Sequence, residues 1–142
     1  MAEGIIYAII AAFVFGLWTA FHQQASGSIN YLFGAILVSL TAVIIGVILL
    51  LPKIKSVPLY SNPKGILFAV LAGVCALAID FFALKAYGSG LSLSIGGPLI
   101  ISGSVAVAAL IGFFLGDAIT LAKISGIVLI IIGSGILAVF SK

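Results

Sequence analysis

The chain has 142 residues, 64% of them hydrophobic and only 6% charged, with six lysines, no arginine, three acidic residues and one histidine. Soluble domains carry about a quarter charged residues, so this chain has too little polar surface to coat a globule and reads as an integral membrane protein. A net charge of +3 spread over so few groups is no nucleic-acid footprint, and its placement on loops matters more than its sum.

A bilayer-spanning helix needs about 20 mostly apolar residues. On that ruler five spans fall at about 4–25, 30–52, 64–87, 91–115 and 118–140. Barrel strands would be shorter and alternating, so the expected fold is all-α: one five-helix transmembrane domain with no soluble lobe. The first run is read as a span and not as a cleaved signal, because Glu3 is the only charge ahead of it and no basic segment precedes it.

Span one is apolar up to Gly16 and then changes character over Leu17-Trp18-Thr19-Ala20-Phe21-His22-Gln23-Gln24. Trp18 and His22 are four apart and share a helix face. They read either as an interfacial tryptophan beside a wet helix end or as a substrate-contacting rim. Histidine is the side chain that changes charge near neutral pH, so His22 is also a candidate proton sensor. Span two is dense in Ile, Leu and Val, and its Ser39 and Thr41 can bond their own helix carbonyls. The loop from Pro52 to Pro63 carries Lys53 and Lys55 and is too short to be a domain.

Span three places Ala69, Ala72, Gly73, Ala76, Asp80 and Ala83 at three- and four-residue spacing, on one small-residue face. Asp80 is therefore expected to point toward other helices, about 7 Å beyond the centre of its span. A carboxylate at that depth must be paired, hydrated or protonated. It is either a proton or cation site or one half of a buried helix-to-helix hydrogen bond. Lys85, nearer the boundary, can snorkel.

Span four begins with Gly96-Gly97-Pro98 and continues with Ser104, Ala108, Gly112 and Gly116, a stripe that lets helix backbones approach closely. Pro98 frees the carbonyl of Ser94, so the helix is expected to kink or open near Gly96-Gly97. By depth alone, Pro98, Asp80 and Trp18 fall in one layer, which makes Trp18, His22, Asp80, Gly97 and Pro98 the candidate substrate-binding residues. Spans four and five are expected to form a tight antiparallel hairpin turning at Gly116-Asp117, with Asp117 capping the start of span five.

Several chemistries lack their residues. The single cysteine, Cys75, allows no intrachain disulfide. One histidine and one cysteine on separate spans make no metal site. Neither a catalytic triad nor a strand-linked phosphate loop can be assembled. The expectation is a non-enzyme without cofactor or metal and without a nucleic-acid partner.

The stretch Phe113-Phe114-Leu115-Gly116-Asp117-Ala118-Ile119-Thr120-Leu121-Ala122-Lys123-Ile124-Ser125-Gly126 resembles the junction of EamA-like domains in the drug/metabolite transporter superfamily. That junction reads roughly Leu-Gly-Glu, any residue, Leu-Thr, then a glycine a few residues into the last helix. Residues 130–137 resemble the closing helix of the family, and Gly16-Leu17-Trp18 its first. The likeness runs over 4–140. Asp117 stands where the family usually has Glu, and Gln23 and Gln24 replace a frequent basic residue, which argues against an anionic substrate there. Glu3 precedes span one, so the membrane glutamate of the four-helix multidrug branch has no counterpart.

The resemblance implies one half of an inverted-repeat transporter, carrying small polar metabolites such as amino acids or sugars between two five-helix units. The other expectation is a non-transporting membrane subunit that packs on a partner. Lys53, Lys55, Lys64 and Lys123 fall on the N-terminal side against Lys85 and Lys142 on the other. The positive-inside rule then puts the N-terminus predominantly in the cytoplasm of a multi-pass protein of the cell membrane, the inner one where there are two. The expected partners are the bilayer, a small-molecule substrate, and either a homodimer partner, antiparallel by preference, or a paired homologue.

Overall fold

A computed structural model of the chain describes residues 2–56 and 58–140. Five helices follow one another: α1 (Ala2–Ala25), α2 (Tyr31–Leu50), α3 (Pro63–Gly88), α4 (Leu93–Phe114) and α5 (Leu121–Phe140), with a 3-10 turn at Leu51–Lys53. All five are long and apolar enough to cross a membrane, and no strand occurs among the described residues. The all-helical membrane fold expected from composition is therefore the one observed.

Local chemistry sets the helix starts. Asn30 accepts from the amides of Leu32 and Phe33 at 3.0 and 3.1 Å, capping α2. Asn62 accepts from Lys64 N at 2.9 Å, and Pro63 opens α3 where a missing amide costs nothing. Neither asparagine stands out from the hydropathy of the sequence.

The chain divides into two compact units. One runs from His22 to Ser89 and holds the α2–α3 hairpin with the last turn of α1. Its buried residues cluster at one end: Gly34 and Ala35 on α2, and Asp80, Ala83, Leu84 and Tyr87 on α3. Close approach explains the glycines there. A Cβ on Gly34 would lie 2.7 Å from Cδ1 of Leu84, and one on Gly88 would lie 2.5 Å from the Tyr31 hydroxyl. Every described residue from 40 to 79 is exposed, so the rest of the hairpin offers its apolar side chains to lipid.

The other unit holds the residues up to Phe21 and those from Gly90 onward, including the α4–α5 hairpin. Gly116 adopts φ +100°, its amide donates to Phe113 O at 3.2 Å, and the Asp117 amide donates to Gly112 O at 2.9 Å. This is the Schellman ending, which serves the last carbonyls of α4 and turns the chain at Gly116-Asp117. The capping role expected for Asp117 is corrected: α5 starts at Leu121, and Thr120 Oγ1 accepts from the Lys123 amide at 3.3 Å. Asp117 instead lies over the end of α4, where a Cβ on Gly112 would sit 2.6 Å from its Oδ2.

One further expectation changes. Of the kink or opening expected near Gly96-Gly97, the opening is not there, because α4 runs unbroken from Leu93 to Phe114 with Pro98 inside it. The proline falls near the helix start, where the carbonyl it leaves unserved belongs to the first turn. In the small-residue stripe of α4, Ser104 and Ala108 are exposed, while Ala106, Ala109, Leu110 and Phe113 lie against Ile124, Ile127 and Ile131 of α5.

Candidate functional site

The last turn of α1 carries His22 and the inner face of α3 carries Asp80, and both belong to the His22–Ser89 unit. His22 Nε2 lies 3.1 Å from Asp80 Oδ1. They are 3% and 5% exposed, which makes them a buried ionisable pair inside membrane-spanning helices. With the Nε2–H tautomer the imidazole donates to the carboxylate. A charged carboxylate in hydrocarbon costs a few kcal/mol unless it is compensated in this way. The arrangement can take up or release a proton and can hydrogen-bond a polar ligand. No group of three ligating side chains that could hold a metal occurs among the described residues.

Tyr87 extends the same face. Asp80, Ala83, Leu84 and Tyr87 recur at helical spacing on α3 and are all buried. The Tyr87 hydroxyl has no hydrogen-bond partner among the described residues. Sequence reasoning gives Tyr87 no role, although its place seven residues after Asp80 was the available signal.

The remaining predicted residues lie in the other unit. Trp18 is half-buried and stacks on Phe15 with ring centroids 5.0 Å apart. Thr19 is buried and donates to Gly16 O at 2.7 Å. Gly97 is buried opposite it, where a Cβ would meet Thr19 Oγ1 at 3.9 Å, and Pro98 is half-buried beside it. Ser102, also buried, donates to Leu99 O at 3.1 Å. Of the five predicted site residues, His22 and Asp80 are thus brought into contact in one unit, and Trp18, Gly97 and Pro98 belong to the other. Thr19 and Ser102 are polar positions that the sequence did not single out, because Ser and Thr in membrane helices are usually self-satisfied.

Five helices long and apolar enough to cross a membrane, with an ionisable pair buried between two of them, define a multi-pass membrane protein with a buried polar centre. The family model of the EamA-like transporter family matches residues 2–139, and the chain belongs to that family. It is accordingly a membrane transporter of the drug/metabolite superfamily. No curated protein and no solved structure matches it.

Proposed function

We propose that the protein carries small polar metabolites, amino acid- or sugar-like, and that the His22–Asp80 pair is the group whose protonation or hydrogen bonding changes with substrate. The buried pair carries this reading: a carboxylate and an imidazole 3.1 Å apart inside apolar helices are expensive to maintain for packing alone. Substrates with hydroxyl or amino groups can compete for either partner. Trp18, Gly97 and Pro98 are substrate-contact candidates by residue type: an amphipathic ring, and a backbone stretch short of one amide. The protein works as a dimer, with substrate between protomers, in the cell membrane with its N-terminus mainly cytoplasmic.

The test is a thermal-shift screen of purified protein against a metabolite library, followed by uptake into proteoliposomes at several pH values. Polar metabolites are expected to raise the melting temperature, and Asp80→Asn, which keeps the shape, is expected to abolish the shift or flatten the pH dependence of uptake. Unchanged uptake at every pH in that variant removes Asp80 from the mechanism.

A further inference from the structure

Two cavities lie along the α4–α5 hairpin and share Ala109, Phe113 and Ile127 in their walls. One, about 200 Å3, is bounded by Ala106, Leu110, Val128 and Ile131 and has no charged side chain in its wall. The other, about 330 Å3, is a groove that runs from Ile130 past Ala109 and Gly126 to Asp117 and Lys123. Small residues on both helices keep the groove open. Lys123 lies in the first turn of α5 and Asp117 just past the end of α4, so the charged end is at the membrane boundary and the apolar end within the hydrocarbon. From Lys123 to Ile130 the groove descends ~10 Å along α5.

The charges at the mouth are of opposite sign and do not answer each other. No ion pair joins Asp117 to Lys123 among the described residues, although both line the same cavity. Lys123 Nζ donates to Ala118 O at 2.9 Å, which uses one of its three N–H groups. The start of α5 adds the positive end of its helix dipole on the same side.

We propose that this groove holds a phosphatidylethanolamine molecule, with an acyl chain in the apolar part, the phosphate on Lys123 and the primary ammonium on Asp117. An acyl chain moving from bulk lipid into the groove exchanges one apolar surrounding for another, so the tail supplies fit and the head group supplies discrimination. A primary ammonium donates a charge-assisted hydrogen bond to a carboxylate, which a quaternary choline cannot do. A phosphatidylglycerol head group would satisfy Lys123 and leave Asp117 facing a second negative charge. An apolar helix of a second copy would fill the apolar part and leave both charges at the mouth unanswered.

Native mass spectrometry of the purified full chain, titrated with phosphatidylethanolamine, phosphatidylcholine and phosphatidylglycerol of identical acyl chains, tests this. Wild type should retain phosphatidylethanolamine preferentially, and Lys123→Gln should lower that retention about tenfold, the weight of one charge-assisted hydrogen bond. Asp117→Asn should bring phosphatidylethanolamine down toward phosphatidylcholine, and Ala109→Phe, which fills the groove away from both charges, should lower retention of all three. Circular dichroism and melting temperature of each variant show whether it is folded. Equal retention of the three lipids by wild type, or wild-type retention of phosphatidylethanolamine by both folded charge variants, overturns the proposal. So does efficient disulfide cross-linking of Ala109→Cys between two copies in native membranes, in a Cys75→Ala background, which would give the groove to a second copy.

Discussion

A carboxylate inside a bilayer persists only with a partner, and for Asp80 one partner is the imidazole of His22 at 3.1 Å. Removing the imidazole leaves the buried carboxylate to find compensation elsewhere or to take up a proton. His22→Ala is therefore expected to destabilise the folded protein by on the order of 3 kcal/mol, and His22→Ala/Asp80→Ala by less, because the double variant no longer buries a carboxylate that has lost its imidazole. Melting temperatures in detergent compare the two, and equal or larger loss in the double variant would show that the pair is not coupled. The need for a partner was legible in the sequence, since one Asp amid small residues of an apolar span demands one. Which partner was not legible: helix periodicity assigns each residue to a face of its own helix, and only packing decides which faces meet. The same blindness hid Tyr87, whose hydroxyl becomes notable only because it is buried.

At the scale of the element, glycines mark where backbones and rings crowd. Gly88 takes the edge of the Tyr31 ring, and a rigid ring cannot swing aside as a leucine tip can. Gly88→Ala should cost about 1–3 kcal/mol by overpacking. Adding Tyr31→Leu should recover part of that loss, with a coupling of at least ~0.5 kcal/mol in a double-mutant cycle read from melting temperatures. The α4–α5 turn makes a different demand. Gly116 at φ +100° sits where a side chain is strained, so Gly116→Ala is expected to cost about 1–2 kcal/mol, while Asp117→Asn leaves the turn intact because its amide, not its carboxylate, closes the Schellman pair. Five apolar runs of membrane length made the helices readable in advance. Their ends were less so, because hydropathy marks where apolar residues begin and hydrogen bonding marks where a helix begins. Ala118 and Ile119 are apolar yet precede the Thr120 cap, which is how the capping role came to be assigned three residues early.

For the whole molecule, the distribution of exposure bears on assembly. In α2 and α3 every described residue from 40 to 79 is exposed, and the Ser104 and Ala108 positions of the small-residue stripe on α4 are exposed too. Such surfaces are at home in lipid and equally suited to a second copy, where small residues allow backbones to meet. Lysine placement decides which copies can meet. Four lysines against two favour one orientation, yet all are lysines and the bias is weak, so a fraction of chains is expected to insert the other way and supply the antiparallel partner. Two loops report this directly, since Ser56 and Ser89 lie in exposed connections at the two ends of α3. With Cys75→Ala removing the one native thiol, Ser56→Cys and Ser89→Cys can each be exposed to an impermeant maleimide on intact cells. The expected result is reaction at both, with Ser89→Cys the stronger, because a cytoplasmic N-terminus puts that loop outside. Reaction at Ser89→Cys alone would exclude dual insertion and leave a parallel dimer or an oppositely biased relative as the partner, and reaction at Ser56→Cys alone would reverse the orientation itself.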